Sequence, residues 1–206
     1  MAKVKLTKTE LKARTDALKR FQRFLPMLQL KKQQLQGEIA AISAKADEVA
    51  EKERLLRGEI SGWVGLFATE ASLVEGLVKV VEVKTSTANV AGVTIPTFES
   101  IRTEVKEIDK WDTPAWIDSA SEAVSRILSL QSERAVYDEQ RRLVTEELQL
   151  TSQRVNLFEK VKIPECKEAI RVIKIALGDE QAAAVTRGKI AKSRVPVETA
   201  AEGEAG

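Results

Sequence analysis

Apolar residues recur every seven positions along the first third of the chain. Leu11, Leu18 and Leu25 form one run, and Leu28, Leu35, Ile42, Val49 and Leu56 form the next, with Ile39, Ala46 and Ile60 interleaved. A seven-residue repeat sets side chains in one narrow stripe along an α-helix. It predicts a single long helix over residues 7–75. Thr7 or Thr9 is placed to cap it, with Glu10 in the first turn. Pro26 falls inside the pattern, and its ring and missing N–H are expected to bend the helix there. Gly58, Gly62 and Gly65 flank Trp63 and mark a weakened or closely packed turn near the far end.

The pattern changes over residues 76–112. Val78, Val80, Val81 and Val83 form one β-branched run, and Val90, Val93 and Ile95 form another, followed by Phe98 and Ile101. Thr85-Ser86-Thr87 and Asn89 or Gly92 offer turns between them, and Pro96 belongs at an edge or strand end because it cannot donate to a ladder. The reading is a short β-hairpin projecting from the helices. A lone hairpin is marginal in water, so this one must lean on the helices or on another protein.

A second helical pattern runs over residues 113–194, with Thr113 as N-cap, Pro114 as first helical residue and Asp118 in the first turn. Its stripe comprises Val124, Ile127, Tyr137, Val144, Leu148, Val155 and Phe158. Around Pro164 the phase shifts by one residue, and the stripe resumes as Ile163, Ile170, Ile173, Leu177 and Ala184. Residues 195–206 read as a disordered tail.

A narrow stripe on a long helix needs a partner stripe. The nearest is the other end of the same chain. The expected fold is therefore mainly α: a long antiparallel two-helix coiled coil from the N- and C-terminal segments, with a short β-hairpin and a small helical region in the middle. If residue 7 pairs near residue 190, Pro164 lies opposite about residue 33, so Pro26 and Pro164 interrupt the pair within about two turns of each other and are expected to give it a built-in bend.

Composition fits this picture. Aromatic residues make up 4% and charged residues 31% of the 206, as suits helices whose surface is mostly wet. Histidine is absent, which removes the commonest catalytic base and metal ligand. The single cysteine, Cys166, forms no internal disulfide, and without a histidine base beside it a catalytic role is disfavoured. No phosphate-cradling glycine loop occurs, and no stretch is long and apolar enough to span a bilayer. The expectation is a non-enzymatic, cytoplasmic protein with no cofactor and no metal. Net charge is +2, but residues 1–36 carry +8, residues 154–194 carry +5 and residues 37–153 carry −8. Antiparallel pairing would gather both basic segments at one end.

Several segments resemble one known family. They are Leu6-Thr7-Lys8-Thr9-Glu10-Leu11, Leu25-Pro26-Met27-Leu28-Gln29-Leu30-Lys31-Lys32 and Val93-Thr94-Ile95-Pro96. The most specific is Arg154-Val155-Asn156-Leu157-Phe158-Glu159-Lys160-Val161-Lys162-Ile163-Pro164-Glu165, followed by Ile170-Arg171-Val172-Ile173-Lys174-Ile175-Ala176-Leu177. Together they resemble the D subunit of the V-type/A-type rotary ATPases, and Asp112-Thr113-Pro114-Ala115-Trp116-Ile117-Asp118 resembles its bacterial branch. The resemblance implies a central rotor shaft at the cell membrane. Its terminal helices would enter a hexamer of catalytic A and non-catalytic B subunits. Its middle portion would bind the small F subunit and dock onto the C subunit (the d subunit in eukaryotes) on the rotor ring.

On that reading, Lys8, Arg20, Arg23, Lys31, Lys32, Asn156 and Phe158 are candidates for contact with the A/B bore. Val83, Val90, Val93 and Ile95 are candidates for the F subunit, and Trp63, Trp111 and Trp116 for the rotor-ring side. The competing roles are solvation for the basic residues, internal packing for Phe158 and the tryptophans, and strand pairing for the hairpin residues. Rival readings of the whole chain are a coiled-coil scaffold or adaptor, and a basic rod that binds nucleic acid. No base-reading motif supports the second.

Overall fold

The computed structural model describes residues 5–64, 76–106 and 116–194, with Trp63, Val64 and Arg194 described by their backbone alone. The elements in order are α1 (Lys8–Val64), β1 (Val78–Val90), β2 (Val93–Val105), α2 (Trp116–Leu157), a π-helical turn (Phe158–Lys162) and α3 (Ile163–Arg194). The chain is mainly helical, with a long helix at each end and a two-stranded antiparallel hairpin between them. It divides into two compact units, one comprising residues 29–153 and the other residues 1–28 with 154–206. Of what was read from sequence, the end of the first helix over 65–75 with Gly65, Trp111, the Thr113 cap with Pro114, and the 195–206 tail lie outside the described residues.

In the unit of residues 29–153, α1 and α2 lie antiparallel along the predicted stripe. Leu35, Ile42, Ala46 and Val49 of α1 are buried, as are Val136 and Val144 of α2. Polar ties fix the register at both ends of the pair. Lys31 Nζ meets Glu147 Oε1 at 2.6 Å, and Gln131 Nε2 donates to Glu53 Oε1 at 3.0 Å. Glu53 occupies a stripe position and is 8% exposed. Arg57, one turn on, satisfies it through two hydrogen bonds of 2.9 and 2.8 Å to Oε1. A polar residue in an otherwise apolar seam costs stability, but a slipped register would lose the cross-helix bond from Gln131, while Arg57 on the same helix travels with Glu53.

The hairpin leans on these helices. Ile95 is 5% exposed and shares one core cluster with Leu35, Ile42 and Val144. Val90, Ala91 and Val93 pack against the same cluster, as do Ile39, Tyr137, Leu143 and Leu148. Gln140 Nε2 donates to the Pro96 carbonyl at 2.5 Å, so the proline that cannot donate to the ladder serves as an acceptor across to α2. The expected projection is thus corrected: the turn end is anchored on both helices, because its apolar side chains bury there.

Ala91 and Gly92 make the turn, with φ of 50° and 83°. Positive φ at both central residues is the geometry of the type I′ hairpin turn. The Asn89 side chain supports it by accepting the Gly92 N–H at 3.1 Å. Thr85-Ser86-Thr87 is strand, paired with Phe98, Thr97 and Pro96.

In the other unit, α1 begins at the Thr7 cap, whose Oγ1 accepts the Glu10 N–H at 3.3 Å. Phe21 meets Phe158 with ring centroids 5.1 Å apart, and Arg14 lies beside Cys166. Those two contacts also run antiparallel. They set residue 7 opposite about residue 173 rather than 190. In this register Pro26 and Pro164 lie about ten residues apart along the pair, against about seven in the predicted one. Pro26 does not interrupt α1 at all. On the opposite helix the disturbance is the π turn, where the Ile163 N–H bonds to the Phe158 carbonyl five residues back.

The π turn accounts for the phase shift in the sequence. Val144 and Thr151 are buried seven residues apart, and so are Cys166 and Ile173. Between Thr151 and Cys166 lie two heptads plus one residue. A π turn absorbs one extra residue and returns the following helix to the same face. Pro164 favours it here, since it lacks an N–H and its ring crowds the carbonyl four residues earlier, that of Lys160.

Gly58 and Gly62 have nothing within 4 Å of an added Cβ, so they are open helical positions rather than sites of close packing. Gly58→Ala is expected to stabilise the protein by about 0.5–1 kcal/mol in urea titrations through helix propensity and chain entropy. A loss of stability would show that the position is in contact after all. A second expectation concerns pH. Hydrogen bonds from Arg57 first, then Gln131, hold the Glu53 carboxyl below its ordinary range. A lowered folded value contributes stability above the unfolded value of about 4.3, and that contribution is lost as pH falls through the folded value. The melting temperature should therefore fall more steeply below about pH 4 in wild type than in Glu53→Gln. Parallel curves would contradict the assignment.

Candidate functional site

The candidate positions among the described residues are spread along the helices and the hairpin. Among the described residues no group of His, Cys, Asp and Glu is placed to hold a metal ion. No described helix is long and apolar enough to cross a membrane.

The basic candidates separate by environment. Lys8, Arg20 and Arg23 are exposed on the first turns of α1, where a partner could reach them. Lys31 is half-buried and engaged by Glu147. It also lies 4.0 Å from where a Cβ on Gly92 would sit, so it spans the helix pair and the hairpin turn. Lys32 is half-buried. Among the described residues, two ion pairs join different helices, Lys31–Glu147 and Arg134–Glu53 at 3.9 Å. The others join residues three or four apart within a helix or across the π turn, where each exposed pair contributes little; Arg57 with the buried Glu53 is the exception. By sequence, residues 1–28 with 154–206 hold 18 Lys/Arg against ten Asp/Glu, and residues 29–153 hold 15 against 21.

Asn156 and Phe158 diverge although two residues apart. Asn156 is exposed just before the π turn, while Phe158 turns inward onto Phe21. Of the four hairpin candidates, Val90, Val93 and Ile95 are taken up in the chain's own core. Val83 is exposed, together with Val80, Val81 and Val105. Trp116, the first described residue of α2, is half-buried beside the buried Ile117. Trp111 and the Trp63 side chain lie outside the described residues.

Sequence reasoning missed two surfaces. One is on α1, where Phe24 and Met27 are 48% and 61% exposed and Leu30 follows at the same spacing. An i, i+3, i+6 set off the main stripe was the available signal. The other is the end of α3. The last buried seam residue is Ile173, and every described side chain from 178 to 193 is exposed, including Val185 and Ile190. Ala184, read as part of the stripe, is among them. The stripe continues in sequence, but α1 begins at Lys8 and offers no surface that far along.

Comparison with known proteins gives this architecture a family. The sequence profile of the ATP synthase D subunit matches residues 10–193. The V-type ATP synthase D subunit from Borreliella burgdorferi is 45% identical over 193 residues, covering 94% of this chain and 95% of that protein. The proteins of the same name from Chlamydia muridarum and Chlamydia caviae are 34% and 32% identical over 199 and 197 residues. The alignments cover 94% of this chain and 97% and 94% of those proteins. A match across nearly the whole length of both partners, spanning both long helices and the hairpin, means that this chain belongs to the family of ATP synthase D subunits.

Proposed function

We propose that this protein is the non-catalytic central rotor shaft of a V/A-type ATPase or ATP synthase. In that role it couples ATP hydrolysis or synthesis in the A/B hexamer to ion translocation in the membrane. It would sit on the cytoplasmic face, peripheral to the membrane, in contact with the A and B subunits, the F subunit and the C (or d) subunit of the rotor. The observation that carries the proposal is the unaccompanied end of α3. A helix of this length is marginal in water without packing on another surface. Residues 178–193 have no such surface among the described residues, yet they carry Val185, Ile190 and a basic set of Arg187, Lys189 and Lys192. Such a segment is suited to being enclosed by other chains.

The mechanism follows from asymmetry. A shaft between three A/B pairs presents a different face to each pair. Each face favours one conformation of the site beside it, and rotation passes that bias along. Two unequal helices supply unequal faces: α1 offers Phe24 and Met27 where its partner helix offers the π turn and Asn156. The basic excess of the segments 1–28 and 154–206 suits transient polar contact with a surrounding ring, and the exposed valines of the hairpin suit a tighter partner such as the F subunit. The scaffold alternative needs no such asymmetry.

Deleting residues 178–206 should leave the rest of the chain folded and bound to its neighbours in the purified complex. Ion pumping per ATP hydrolysed should fall several-fold. Unchanged coupling would exclude the shaft mechanism, and failure to co-purify with the A, B and F subunits would favour a scaffold outside any ATPase. For the hairpin, Val81→Ser with Val83→Ser should weaken binding of the F subunit about tenfold or more without lowering the melting temperature, because both side chains are exposed. Ile95→Ser should lower the melting temperature itself, since Ile95 is core. Undiminished affinity in the double valine variant would remove the F subunit from that surface.

A further inference from the structure

We propose that the π turn Phe158–Lys162 is a hinge. At this hinge the C-terminal arm, α3, opens away from α1 locally while the rest of the molecule stays folded. Three observations point there. None of the five residues of the turn is fully buried, and the Phe158 contact with Phe21 lies at its first position, so a hinge beyond Phe158 leaves that contact in place. Pro164 stands two residues after it, lacks the N–H an α-helix would use, and keeps its ring against the Lys160 carbonyl if the turn tightens. The third is the weakness of the grip beyond the turn. The buried residues of α3 are Cys166, Ala169 and Ile173, two of them small.

The contrast with residues 29–153 is physical. There the helices are keyed by Lys31 with Glu147, by Glu53 with Gln131 and by the hairpin turn lying against both. In residues 1–28 with 154–206, the aromatic contact of Phe21 with Phe158 and the approach of Arg14 to Cys166 mark the seam. α3 is 32 residues long, about 48 Å at 1.5 Å per residue. Any sideways load on its free end acts through that lever on the turn. Segments with few buried apolar contacts open at free energies below that of global unfolding.

Cys166 is a native reporter for such opening. It is the single cysteine, 3% exposed, one turn beyond the hinge. The experiment measures its reaction with an aromatic disulfide in the full-length protein across low urea concentrations. A reference protein carries Cys166→Ala and Ala46→Cys, which puts the thiol in the seam of the other unit. Cys166 should react at least about tenfold faster than the Ala46→Cys thiol, with a much weaker dependence on urea. Deleting Val161 together with Pro164→Ala removes the extra residue and the missing donor, restores an unbroken heptad spacing from Thr151 to Cys166, and should slow the reaction about tenfold. Pro164→Ala alone should slow it less, and it keeps the test open if the deletion variant does not fold. Equal rates and urea dependence at the two thiols would overturn the hinge. So would a Pro164→Ala rate identical to wild type.

Discussion

A helix with one narrow apolar stripe cannot cover that stripe by itself, and this chain carries two such helices. Everything else in the structure follows from how the stripes meet. They pair antiparallel, with Lys31 against Glu147 and Glu53 against Gln131 in one unit, and Phe21 against Phe158 in the other. Apolar burial supplies the attraction but little directional information, since a leucine stripe tolerates sliding by a heptad. The register is set by the residues that do not fit the apolar pattern. The bond from Gln131 to Glu53 in the seam and the ion pair of Lys31 with Glu147 at its flank form only at this alignment, whereas Arg57 pairs with Glu53 within α1.

The hairpin exploits the same seam. Its turn lies where Leu35, Ile42 and Val144 meet, and Gln140 reaches the Pro96 carbonyl from α2. An element that would be unstable alone is held at its turn end, while around Val83 its side chains are exposed. Its core-facing end, Val90 to Ile95, and its exposed end, around Val83, therefore have different work to do. Folding takes the first, and the second is available for recognition.

The apolar repeat gave both helices, and the β-branched runs gave the hairpin, because these are strong local periodicities. The stripe residues Leu35, Ile42, Ala46, Val49, Val144 and Val155 are buried as their spacing required. Other seam residues were invisible to the same reasoning. Gln140, Thr151 and Cys166 are buried without being strongly apolar, and only their spacing of four or seven residues from Val144 or Ile173 betrays them. The one-residue phase shift was legible, but its form was not, since a proline and a π turn leave the same trace in sequence. The helix register was illegible because repeats fix spacing and not alignment. The candidate site was the least legible part. Whether a valine faces its own core, as Val93 does, or solvent, as Val83 does, depends on where the hairpin lies against the helices.

The proposed shaft would be the moving part of its machine, and rotation can be watched directly. With the A/B ring fixed to a surface and a bead attached through Val81→Cys in a Cys166→Ala background, ATP should drive the bead round in one direction in three major steps per turn. A bead that stays still while the immobilised complex hydrolyses ATP at its full rate would contradict the shaft at its root.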